Sequence, residues 1–214
     1  MNSRQLFQIE DELKKRLDHP YSWGRKQNDQ WDRFSGFIYR TQSWEEVLEQ
    51  AGKVAEQQNL EKASFINYAA NRWYNFWSAK AVESIFCDLP GVTPARDERD
   101  RLRDFNIQGV DMDLKTSIYP RGFNHALDYA QRHPGDLVTW LYRNQSSQQR
   151  MHYYNRLFLI VYAEGGDHWK LKAEILFLKE VVEDYVVNFD SQKLLKFQYQ
   201  PGKFAFSDII WAIK

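Results

Sequence analysis

Little in this chain of 214 residues suits an oxidised or a membrane environment. Its single cysteine, Cys87, excludes an internal disulfide framework and leaves too few thiolates for a zinc cage. No apolar run approaches the ~18 residues that span a bilayer. The opening MNSRQLFQIEDELKKRLDHP is too charged for a signal peptide, so a cytoplasmic protein with no membrane partner is expected. Charge of one sign is not in excess either, since 29 Lys and Arg balance 29 Asp and Glu. That neutrality argues against a general polyanion binder but allows a local basic face. No Gly-rich phosphate loop of the ATPase kind occurs, and no two histidines have the i, i+4 spacing of a helical zinc site.

Aromatic residues, by contrast, are abundant at 16%, with eight Trp, and core packing is a plainer use for them than a stacking platform. Apolar residues recur at three- and four-residue steps in RQLFQIEDELKKRL, SWEEVLEQAGKVAEQ and EKASFINYAANRWYNFWSAKAVESIFCDL, which predicts three helices. Ser43 and Glu46 have capping-box spacing at the start of the second. Residues 18–41 are aperiodic and read as a connection with a short helix around Trp31. LPGVTPARDERDRLR reads as a charged loop. RDFNIQ and VDMDLKTSI alternate polar with apolar around Gln-Gly, which predicts a β-hairpin. Beyond it, GFNHALDYAQRH and GDLVTWLYRNQ read as helices, NRLFLIVYAE as a strand, HWKLKAEILFLKEVVEDYVV mostly as helix and FSDIIWAIK as a closing strand. The order implies an α/β arrangement with a mixed sheet behind an N-terminal helical region.

If Gln108-Gly109 is the hairpin loop, Ile107 pairs with Val110, Asn106 with Asp111, Phe105 with Met112 and Asp104 with Asp113. Two carboxylates set opposite one another, with Cβ atoms about 5 Å apart, repel unless something offsets them. A divalent cation would, and hard oxygen donors suit Mg²⁺, with Mn²⁺ as a substitute. Strand alternation puts Lys115 on the same face as Asp113. An ammonium there can hydrogen-bond water and stabilise charge on a phosphoryl oxygen, as metal-assisted phosphodiester hydrolysis requires. Glu83 falls among Phe76, Ala79 and Cys87 at i, i+3, i+7, i+11 spacing, an acid in an apolar stripe expected to face the sheet. It would serve the metal directly, through a metal-bound water or as part of a second metal position; otherwise it reaches solvent at the stripe's edge or pairs with an arginine such as Arg99 or Arg103.

Asp104, eight intervening residues, then Asp113-Leu114-Lys115 on a hairpin after a helix bearing Glu83 resembles the PD-(D/E)XK nuclease superfamily, over residues ~62–214. The resemblance implies a restriction-endonuclease-like αβββαβ core with a mixed central sheet at 62–214, behind an N-terminal helical region at 1–61 packed on it. It implies an Mg²⁺-dependent deoxyribonuclease, with restriction or phage defence as its setting. Asp104, Asp113, the Leu114 backbone carbonyl and Glu83 would hold metal, and Lys115 would complete the catalytic set. A helical insert at residues ~123–145 departs from the minimal core, and Arg103 stands before Asp104 where that pattern has proline. From Lys115 to Ala163 six Lys and Arg face only Asp128 and Asp136, a local excess that suits DNA phosphates. Ser117, Arg121, Arg143, Gln145 and Arg150 are the expected DNA contacts, and the N-terminal helices suit DNA binding or homodimerisation. The competing expectation is a non-catalytic interaction module with a degenerate nuclease-like fold.

Overall fold

The three- and four-residue apolar steps of the first half become helices in the computed structural model, which describes residues 1–23, 25, 27, 29–95, 103–144 and 154–214. The chain divides into a first unit of Met1–Ser84 with Lys172–Leu178 and a second of Ile85–Leu171 with Lys179–Lys214. The division thus cuts the third expected helix near its end instead of falling before it.

The first unit contains α1 (Ser3–Lys15), α2 (Gln30–Phe34), α3 (Trp44–Gln57) and α4 (Lys62–Cys87) up to Ser84. Side-chain caps start the first and third of these. Asn2 accepts from the Gln5 amide at 3.0 Å and Ser43 Oγ from the Glu46 amide at 3.4 Å, each worth about 1 kcal/mol. Glu46 directs its carboxylate to Gln50 Nε2 (3.1 Å). Leu6, Ile9 and Leu13 of α1, Val47, Ala51 and Ala55 of α3, and Phe65, Tyr68, Ala69 and Trp73 of α4 are buried. Aromatic residues build much of this core. Trp31 meets Phe65 and Tyr68 edge-on, and the Trp73 and Trp77 indoles donate to the Thr41 carbonyl (2.8 Å) and the Ile38 carbonyl (2.9 Å).

The second unit is an α/β arrangement around a six-stranded mixed sheet. Its elements are β1 (Val92–Pro94), β2 (Phe105–Ile107), β3 (Val110–Ile118), α5 (Leu127–Arg132), α6 (Pro134–Asn144), β4 (Arg156–Tyr162), α7 (Ile175–Val187, from Lys179), β5 (Leu195–Gln200) and β6 (Lys203–Ile213). Strand order is β1-β2-β3-β4-β6-β5, with β3, β4 and β6 parallel and the outer pairings antiparallel. The central strand β4, RLFLIVY, is buried on both faces, which explains its unbroken apolar run. Phe158, Ile160 and Ile209 pack with Leu137, Val138 and Leu141 of α6. On the opposite face Phe86, at the end of α4, stacks on Phe105, and Tyr185 of α7 donates to Asp208. Helices therefore cover both faces of this sheet.

Two strands lie outside the sequence-based expectation. β1 occupies part of the stretch read as a loop, and three residues are too few to show a period. β5 precedes a turn at Pro201-Gly202, and its pairing makes the closing strand begin at Lys203.

Candidate active site

The hairpin register pairs Phe105 with Met112, Asn106 with Asp111 and Ile107 with Val110. Gln108 and Gly109 both have positive φ, 46° and 96°, as a type I′ turn requires, and the Asn106 side chain accepts from the Gly109 amide at 2.8 Å. The paired register ends at Phe105 and Met112, and Asp104 follows just outside it. Asp104 is locked there: its amide donates to the Met112 carbonyl (2.9 Å), its carbonyl accepts from Ala95 (3.0 Å), and its Oδ2 accepts from the Leu114 amide (2.7 Å).

Asp113 is buried, with only 10% of its side chain exposed. Its Oδ1 accepts from Lys115 Nζ (2.5 Å) and its Oδ2 from Arg156 Nε (3.2 Å). The register sets Asp113, Arg156 and Ser207 in one row across three parallel strands, β3, β4 and β6. Tyr142 of α6 lies against that row, with the Arg156 guanidinium 5.0 Å from its ring centroid. The Tyr142 hydroxyl donates to the Tyr154 carbonyl and accepts from Ser207 Oγ, both at 2.7 Å. Burial first, and the nearby Asp113 carboxylate, push the Tyr142 phenol up to about 12. It is a structural hydroxyl at neutral pH.

Asp111, the third aspartate of the hairpin, is exposed. It accepts from Asn106 Nδ2 (2.7 Å) and Arg103 Nη1 (2.8 Å), and these two bonds, Asn106 first, hold its carboxyl below the usual aspartate range. Asn106, Asp111 and Arg103 help line a hollow of about 190 Å³ with Thr93, Pro94 and Ala95.

Glu83 differs from its expected setting. The stripe it shares is not the buried face of α4, since Ala79 is exposed and Phe76 and Cys87 are half-buried. Ala81, Val82, Ile85 and Phe86 are the buried residues. Apolar residues surround α4 on nearly all sides, so spacing alone did not identify the inward face. Glu83 has 32% of its side chain exposed and pairs with Lys80 (3.3 Å) in the first unit, whereas both hairpin aspartates belong to the second.

The basic excess beyond the hairpin is thinner than the sequence count. Arg156 is buried on Asp113, and Arg132 pairs with Asp128 at 2.9 Å. Arg121 and Arg143 are exposed, while Ser117 Oγ donates locally to the Ile118 carbonyl (3.2 Å). Gln145 and Arg150, like Arg99, lie outside the described residues.

Among the described residues no group of three or more His, Cys, Asp or Glu side chains is placed to hold a metal ion. A site with two carboxylates and a backbone carbonyl is smaller than such a group. The Asp113 amide bonds to Asn155 on the β4 side, so alternation turns the Leu114 amide and carbonyl toward Asp104. These hard oxygen donors fit Mg²⁺ or Mn²⁺, which take few protein ligands. Arg156 and Tyr142 escaped the sequence reading as site residues. An arginine opening a strand buried on both faces was the available signal for the first. No protein-family model, curated protein or solved structure matches this chain.

Proposed function

We propose that the chain is an Mg²⁺-dependent nuclease that hydrolyses DNA phosphodiester bonds, a restriction or phage-defence enzyme of the PD-(D/E)XK kind it resembles. The carrying observation is the hairpin, where Asp104 Oδ2 accepts from the Leu114 amide next to Asp113, and Lys115, two residues along the same strand face, bonds to Asp113 Oδ1. Asp104, Asp113 and the Leu114 carbonyl would hold the cation. A bound Mg²⁺ supplies Lewis-acid polarisation of a phosphoryl oxygen and lowers the pKa of water. Lys115, 44% exposed, orients the attacking water and places positive charge where the phosphoryl oxygens become more negative. Arg121, Arg143 and Ser117 would contact the phosphate backbone, positioning the DNA without reading its bases.

One observation favours a second reading. Lys115 and Arg156 engage both oxygens of Asp113, so its charge is balanced without a cation, as a non-catalytic interaction module with a degenerate nuclease-like fold requires. To separate the two, the protein and Lys115→Ala are incubated with supercoiled, linear and single-stranded DNA in Mg²⁺, Mn²⁺ or EDTA. Nicking and shortening are then read on gels. The nuclease reading expects cleavage that EDTA abolishes and the variant loses by at least about 100-fold. Cleavage equal in both proteins refutes it, and no cleavage together with no Mn²⁺-induced thermal shift favours the interaction module.

A further inference from the structure

Two cations hold Asp113, and they differ in how easily they can leave. Lys115 has 44% of its side chain exposed, on a flexible stem, so its ammonium can exchange the Asp113 oxygen for water. Arg156 has 9% exposed, and its guanidinium lies over Tyr142, whose hydroxyl is tied to Ser207 and the Tyr154 carbonyl and whose ring stacks on Phe197 (4.7 Å, 3°). Pulling Arg156 from Asp113 would take a buried guanidinium from its carboxylate, a far larger penalty than moving Lys115.

We propose that Arg156 is a permanent counter-cation of Asp113, standing where a second metal ion would otherwise bind, so that the hairpin takes one divalent cation per chain. This inference rests on the nuclease reading. An entering cation displaces Lys115 from Oδ1, while Oδ2 stays with Arg156. A carboxylate that bridges two metal ions about 3.5 to 4 Å apart needs both oxygens, and Asp113 offers one. The guanidinium also repels any second dication and weakens the hold on the first. Arg156 is thus a positioning residue that sets metal number and affinity.

The test counts bound Mn²⁺ by equilibrium dialysis and by the electron paramagnetic resonance signal of free Mn²⁺. The samples are the intact protein, Arg156→Gln and Arg156→Lys, with folding checked by circular dichroism. One Mn²⁺ per chain is expected for the unmodified protein. Arg156→Gln should bind about tenfold more tightly or admit a second ion, because even at the dielectric of water a unit charge about 6 Å from a dication is worth roughly tenfold. Arg156→Lys should keep one ion with affinity within about threefold. Two ions in the unmodified protein, or Arg156→Gln matching it in number and affinity, overturns the inference and leaves the nuclease reading intact. No binding at all overturns both. The count on the unmodified protein decides even if Arg156→Gln fails to fold.

Discussion

Lys172 is a buried ammonium in the first unit, and replacing it should stabilise the protein in a pH-dependent way. Its Nζ donates to Asn75 Oδ1 (3.1 Å), and Asn75 Nδ2 donates on to the Tyr21 hydroxyl (2.9 Å). Among the described residues no carboxylate pairs with it, and burial lowers its pKa from 10.5 to about 8. A difference of about 2.5 pH units between the unfolded and folded chain corresponds to roughly 3 kcal/mol of instability at neutral pH. Losing the Asn75 bond returns about 1 kcal/mol, so Lys172→Met should gain about 2 kcal/mol at pH 7. For a chain of this size that raises Tm by about 4 to 8 °C. The sign with pH follows from proton counting. Between about pH 8 and 10.5 the folded protein binds fewer protons than the unfolded chain, so its stability rises with pH through that window. The advantage of Lys172→Met is therefore complete below pH 8 and gone by about pH 10.5. Thermal melts of both proteins from pH 7 to 10.5 measure it. A gain that stays constant with pH would place its origin in packing, and no gain at pH 7 would mean the ammonium is solvated.

Asp113→Ala takes the carboxylate from the buried Arg156 guanidinium and leaves Lys115 as its charged neighbour, and should cost about 3 to 5 kcal/mol in urea denaturation. The paired replacement Asp113→Leu with Arg156→Met should lie within about 1 kcal/mol of the parent; a single variant as mild as the pair would refute the buried-pair account. At the hairpin turn, Gln108→Asn should add about 0.5 kcal/mol, because asparagine tolerates positive φ better than glutamine. Gly109→Ala, at φ 96°, should lose about 1 kcal/mol, and opposite signs in melting temperature for the two variants are the check.

Legibility followed distance along the chain. The cap at Ser43 and the hairpin around Gln108-Gly109 depend on residues within a few positions, so they were readable directly. The pairing of Phe105 with Met112 and of Asn106 with Asp111 belongs with them, because a two-residue turn fixes the register positions outward from it. β1 and β5 are short strands whose place is set by the neighbour they pair with, and Glu83 sits on a helix too evenly apolar for its spacing to reveal the buried side.

Composition and local periodicity were enough for the helical first half, the α/β order of the second and the placing of Asp113 and Lys115 on one face of β3. The partner of Asp113 was not among these. Arg156 lies 43 residues away, beyond α5 and α6, and only the parallel pairing of β3 with β4 sets it in the row from Asp113 to Ser207 under Tyr142. A local turn dictates which residues oppose one another across a hairpin. A crossover of that length leaves parallel register free, to be settled by how α6 packs on Phe158, Ile160 and Ile209.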